Sequence, residues 1–201
     1  MSLIVQKFGG TSVADKERIF NVAKRCIRDY QNGNDVVVVL SAMGKYTDEL
    51  IAKAKEINPN PSKREMDMLF TIGEQMSVSL MAMAMDALGV RAISLNAFQV
   101  AMHTTSNYSN ARLKKVDTER IRRELDDRKI VIVTGFQGIN KYNDYTTLGR
   151  GGSDTTAVAL AAVSNPQLSF NPTYKLINKG TASAVPLLLC CVLKIKSINI
   201  L

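Results

Sequence analysis

The chain has 201 residues, 46% apolar and 22% charged, which excludes a disordered polypeptide and provides for at least one packed core. Its net charge of +8 invites a nucleic-acid reading, but half of that comes from Lys175, Lys179, Lys194 and Lys196 in an acid-free stretch, 164–201, and no aromatic stacking pattern accompanies the rest. The N-terminus lacks the regions of a signal peptide, no uninterrupted apolar run reaches the ~18 residues of a bilayer span, and Cys26, Cys190 and Cys191 offer no disulfide framework. A cytoplasmic protein with neither membrane nor nucleic-acid partner is expected.

In chain order, Leu3 to Val5 opens a strand that ends at a Lys7 turn carrying Gly9 and Gly10. Asp15 to Gln31 reads as a helix, with Ile19, Val22, Ala23, Cys26, Ile27 and Tyr30 on one face and Gly33 just beyond its end. Val36 to Leu40 is a continuous apolar run, as in a strand buried on both faces of a parallel sheet. Thr47 to Ile57 is a short helix. Ser62 with Glu65 is a capping-box signature for a long, methionine-rich helix that Gly89 closes. Its methionines suit a plastic core or subunit packing better than metal or redox chemistry. On spacing alone, Glu74 within it is either exposed or a group facing a ligand.

Arg91 to Asn96 is a further buried strand, Ala97 to Asn110 is irregular, and Asp117 caps a charged helix to about Asp127. Lys129 to Thr134 is a strand ending in Gly135-Phe136-Gln137-Gly138, and Asn140 to Tyr145 is a polar loop. The lone histidine, His103, argues against a zinc centre or a histidine-based triad. Alternating strands and helices predict an α/β fold, a three-layer sandwich around a mostly parallel sheet.

The stretch Thr146 to Val163 organises the chemistry. Gly149, Gly151 and Gly152 surround Arg150, and Ser153 or Asp154 caps the apolar helix that follows. Helix N-terminal N–H groups beside an arginine suit a small anion. The Lys7 turn is a second such cradle. Neither is a familiar nucleotide motif: Gly44-Lys45 is followed by tyrosine rather than Ser or Thr, and Asp154 stands where a dinucleotide fingerprint needs its last glycine. Asp154 is placed to orient Lys7 or to help place a metal.

Taken together, Lys7-Phe8-Gly9-Gly10-Thr11-Ser12, Val39 to Gly44 with Thr47-Asp48, Gly73-Glu74, Gly135 to Gly138 and Thr146 to Asp154 resemble aspartate kinase, a family of the amino-acid-kinase fold, over residues 1–163. The resemblance implies ATP-dependent phosphorylation of the L-aspartate side chain to 4-phospho-L-aspartate, an early step toward lysine, threonine and methionine, with Mg²⁺ offsetting charge. It implies that Lys7, Phe8, Gly9 and Gly10 meet the ATP phosphates and that Lys7 and Asp154 are catalytic. It further implies that Ser41, Thr47, Glu74, Leu125, Asp126, Arg150, Gly151, Gly152 and Ser153 bind aspartate, and that the protein forms homo-oligomers. Another carboxylate kinase of the same fold is the runner-up, disfavoured by the Lys7 to Ser12 and Arg150 to Asp154 stretches.

From Ser164 onward the resemblance stops. The family's adenosine-binding segment and regulatory domains have no counterpart in 164–201, which reads as a divergent tail, the product of a frameshift or truncation, with an aggregation-prone stretch at Leu187 to Val192. The expectation for this chain is weak or absent ATP binding, with a non-catalytic remnant that binds aspartate or pairs with an intact subunit as the alternative to an active kinase.

Overall fold

A computed structural model describes residues 2–163 and 198–200. The apolar tail stretch at Leu187 to Val192 lies outside them. The strands β1 (Leu3–Phe8), β2 (Asp35–Leu40), β3 (Ala92–Leu95), β6 (Ile130–Thr134) and β9 (Ile198–Ile200) form one sheet in the order β3-β6-β2-β1-β9, with every pairing parallel. Of these, β9 falls within the segment read from sequence as a divergent tail.

The runs of β-branched residues divide between two cores by their period of two. Val36, Val38, Leu40, Ile130 and Ile132 point to one face of the sheet, where they meet α1 (Lys16–Gln31) and α3 (Lys63–Ala87) through Ile19, Ala23, Cys26, Met81 and Met85. Val37, Val39, Val131 and Val133 point to the other, where α4 (Glu119–Asp126) contributes Ile121 and Leu125, and α5 (Gly152–Val163) contributes Ala157, Leu160 and Ala161. The result is the expected three-layer sandwich. Each fully buried Val, Leu or Ile adds about 1.5–3 kcal/mol, so the two cores carry most of the favourable energy.

Helix ends follow local chemistry. Asp15 accepts the Arg18 N–H at the start of α1, and Ser62 accepts the Glu65 N–H at the start of α3. Glu65 turns to Arg64 rather than back to complete a capping box. At α4 the cap position is Thr118, and Asp117 instead accepts the Glu119 N–H in a local turn. Helix α2 (Tyr46–Ile57) lies against α3.

Sequence reading missed a second sheet, in the order β5-β4-β7-β8, made of β4 (His103–Thr104), β5 (Leu113–Lys115), β7 (Gln137–Ile139) and β8 (Tyr145–Thr147). The predicted polar loop is the turn of the β7–β8 hairpin. There the Asn140 side chain accepts the Tyr142 and Asp144 N–H groups, and Asn143 adopts a φ of 61°.

By length and composition α3 would span a bilayer, which a count of uninterrupted apolar residues does not register. Its inward face buries Asp67, Thr71, Glu74 and Ser77, and it packs on α1, β6 and β8 as a core helix.

Candidate active site

The C-terminal ends of β1, β2 and β6 meet the N-terminus of α5, the end of an open parallel sheet where ligands gather. Lys7 reaches across from β1 and pairs with Asp154 in the first turn of α5, Nζ to Oδ1 at 2.9 Å. The lysine side chain is 13% exposed and the aspartate 37%, so the pair faces outward from the core while remaining sheltered.

The loops after β1 and β2 are fused. Ser41 N–H donates to the Phe8 carbonyl at 3.2 Å, and Gly44 N–H donates to the Gly10 carbonyl at 3.0 Å. A Cβ on Gly10 would lie 2.3 Å from the Ala42 carbonyl oxygen, so only glycine permits this approach. The β6 loop closes on the same place. Gly135 N–H donates to the Leu40 carbonyl at 2.9 Å, and a Cβ on Gly135 would fall 2.5 Å from Ser153 Oγ. Ser41 Oγ donates to Ser153 Oγ at 3.0 Å, which ties the β2 loop to α5.

Phe136 holds a φ of 70°, unusual for a bulky residue, and is kept there by three contacts. Its N–H donates to Thr156 Oγ1 at 3.1 Å, its carbonyl accepts the Leu148 N–H at 2.9 Å, and its ring occupies the space a Gly152 side chain would need. Gly149 and Gly151 take φ values of 76° and 74°, whereas Gly152 is the first helical residue. Ser153 and Asp154 therefore lie inside the first turn of α5 instead of capping it. Arg150 is exposed and enters no ion pair among the described residues.

Glu74 is buried, only 5% exposed, so it does not lie on a solvated face of α3. Gly73 lets α3 approach the β2 loop, because a Cβ there would meet Ala42 Cβ at 2.8 Å. Glu74 Oε1 accepts the Ala42 N–H at 3.3 Å. Burial pushes the carboxyl up to about 7, and the Ala42 amide pulls the other way. Its Oε2 is buried without a well-formed hydrogen bond among the described residues, although the Gln137 amide lies near enough to favour the charged form.

Phe8 is a core residue under the cradle, and Thr47 lies half-buried in the first turn of α2. Leu125 and Asp126 are not brought to this group. Leu125 packs in the core, Asp126 is exposed, and both precede β6, at the opposite end of that strand from Gly135. Five strand residues at ~3.3 Å each make that separation about 16 Å.

Asp67, which sequence reading passed over, is wholly buried on α3 and accepts four hydrogen bonds from Ser109 and Thr147. Its signal was a carboxylate set between Met66 and Met68, seven residues before Glu74, hence on the same helix face.

A profile described as the amino acid kinase family matches residues 2–169. The chain belongs to the amino acid kinase family. Within it, the chain is 59% identical over 162 residues to the aspartokinase of Bacillus sp. (strain MGA3), covering 81% of this chain and 39% of that protein. It is equally similar, over the same share of its length, to the aspartokinase of Geobacillus stearothermophilus, of which it covers 40%. The chain thus spans about 40% of the length of these curated relatives. Among solved amino acid kinase structures, aspartate kinase from Synechocystis superposes with a TM-score of 0.67 at 51% identity, covering 79% of this chain and 26% of that one. E. coli aspartokinase III in complex with aspartate and ADP superposes with a TM-score of 0.68 at 25% identity, covering 81% and 47%.

Proposed function

We propose that this chain carries the acceptor half and the phosphate cradle of an aspartokinase, the site at which ATP phosphorylates the side-chain carboxylate of L-aspartate to give 4-phospho-L-aspartate. What supports this is the convergence, at one end of the sheet, of the Lys7–Asp154 pair, the Gly9-Gly10 turn, buried Glu74 and the Arg150 loop, in a chain similar to aspartokinases.

The chemistry needs little beyond charge and position. The acceptor carboxylate is already ionised near neutral pH, so no general base is required. One of its oxygens bonds to the γ-phosphorus as the bond from that phosphorus to the bridging oxygen breaks, and the electron pair leaves on ADP. Lys7, held by Asp154, neutralises the transferring group. Backbone N–H groups at Gly9 and Gly10 meet the phosphates where no side chain intrudes. Arg150 clamps a carboxylate of aspartate and Glu74 takes its ammonium, with Ser41, Thr47 and Ser153 lining the space between. Leu125 and Asp126 have no contact with the amino acid in this reading. No three His, Cys, Asp or Glu side chains are grouped to hold a metal among the described residues. A magnesium ion would ride on the nucleotide phosphates and offset their charge.

Calorimetry with L-aspartate, followed by hydroxylamine trapping of acyl phosphate with MgATP, tests the reading. Aspartate binding is expected. Aspartate-dependent hydroxamate would establish a complete catalytic centre, and binding without hydroxamate would establish the acceptor half alone. Absence of both refutes the proposal.

A further inference from the structure

We propose that Asp67 is a positioning residue that sets substrate length: it holds the Arg150 loop at a fixed distance from Glu74 and so favours aspartate over glutamate. The inference rests on the reading of Arg150 and Glu74 given above.

The Asp67 carboxylate is saturated. Oδ2 accepts the Ser109 N–H at 2.8 Å and the Thr147 N–H at 3.0 Å, while Oδ1 accepts the Thr147 hydroxyl at 2.8 Å and the Ser109 hydroxyl at 3.2 Å. Two residues from separate segments are thereby held to one side chain. Both lead directly to the Arg150 loop. Thr147 precedes it by three residues, and its carbonyl accepts the Ala111 N–H at 2.8 Å. Ser109 is followed by Asn110, whose Oδ1 would stand 3.1 Å from a Cβ on Gly149. The root of the loop is thus fixed on two sides to a single carboxylate.

That carboxylate shares a helix face with Glu74. Seven residues are nearly two full turns, so the two acids lie about 10 Å apart along α3 and on one side of it. The intervening helix is continuous, and its inward residues Thr71 and Gly73 are buried. One end of this rigid spacer holds the loop of the carboxylate clamp, and the other presents the acceptor for an ammonium. An amino acid that bridges them must match the spacing. A hydrophobic pair at 67 and 147 would pack as well, but it would not fix direction; four charge-assisted hydrogen bonds do.

The test compares L-aspartate and L-glutamate binding by calorimetry in the wild-type chain and Asp67→Asn. The amide places an NH₂ group against donors that the carboxylate accepts in the wild-type chain. Aspartate affinity should fall at least about 10-fold, the scale of hydrogen bonds to a charged group. The preference for aspartate, for which one methylene allows ~10–200-fold, should shrink toward unity. Thr147→Val and Ser109→Ala each remove one hydroxyl donor and keep the carboxylate. They should show the same loss of preference on a smaller scale of about 5-fold, and they carry the test if Asp67→Asn does not fold. Equal weakening of both ligands in all variants would mark Asp67 as merely structural and overturn the proposal, as would unchanged aspartate affinity. A wild-type chain that binds neither amino acid would instead refute the aspartate reading on which this one stands.

Discussion

Replacing Glu74 with glutamine should make the protein more stable and less able to bind its ligand, with the stability gain appearing only as pH rises. The carboxyl is 5% exposed, and burial moves it from an ordinary 4.5 to about 7. A carboxyl raised in the folded state favours folding while protonated. That contribution is complete below about 4.5, is lost as pH climbs through about 7, and is absent above it. At about 1.4 kcal/mol per pH unit, the burden of an ionised Glu74 at pH 8 comes to about 3 kcal/mol. Glutamine keeps the shape and the oxygen that accepts the Ala42 N–H, and it removes the charge. Urea denaturation of both proteins at pH 5 and pH 8 measures the effect. The variant's advantage should grow by up to about 3 kcal/mol between the two pH values. Calorimetry at pH 8 should show aspartate binding lost, since the ammonium has no anionic partner. A stability difference that does not change with pH would refute the argument, because it would mean that burying the ionised Glu74 carries no cost.

The Lys7–Asp154 pair predicts a split between binding and turnover. Asp154→Asn should leave aspartate affinity within about 3-fold and lower any hydroxamate formation by ~10²-fold, in the range found when a single electrostatic stabiliser is lost. Gly10→Ala forces a methyl group against the Ala42 carbonyl at 2.3 Å and should lower stability by about 1–3 kcal/mol, read from urea midpoints. Cys26 is wholly buried, and its thiol is pushed up to about 12, chiefly by desolvation. Its labelling by iodoacetamide at pH 8, mapped by mass spectrometry, should be negligible in the native protein and rapid in urea.

The large sheet and its helices were legible because each is locally signalled. Val36 to Leu40 is apolar without interruption, Asp15 and Ser62 mark helix starts, and Gly33 and Gly89 mark helix ends. The small sheet was not, because its strands are two or three residues long. His103 and Thr104 become strand residues only through pairing with Leu113 to Lys115 and with Ile139. Motif resemblance grouped Lys7 with Asp154, which the fold brings into contact, but it also named Leu125 and Asp126, which the fold keeps at the far end of β6. Glu74 stayed ambiguous because helical spacing says which residues share a face and not what that face meets. Asp67 lacked a motif, and its role exists only through Ser109 and Thr147.

The inward polarity of α3 also bears on the order in which the chain assembles. Its C-terminal half, with Val78, Met81 and Met85, shares its core with α1 and β2, made before it, and with Ile130 and Ile132 of β6, made after it. Its N-terminal half cannot dock then, since Asp67 waits for Ser109 and for Thr147, 42 and 80 residues downstream. At roughly 5–20 residues per second, ribosomal synthesis leaves the carboxylate hydrated for about 4–16 seconds before Thr147 exists. One helix is therefore laid down in two stages, the apolar end beginning against α1 and β2 and the acidic end only when the second sheet arrives. A nascent-chain protease experiment should find the bond after Arg64 cleavable long after α1 has become protected.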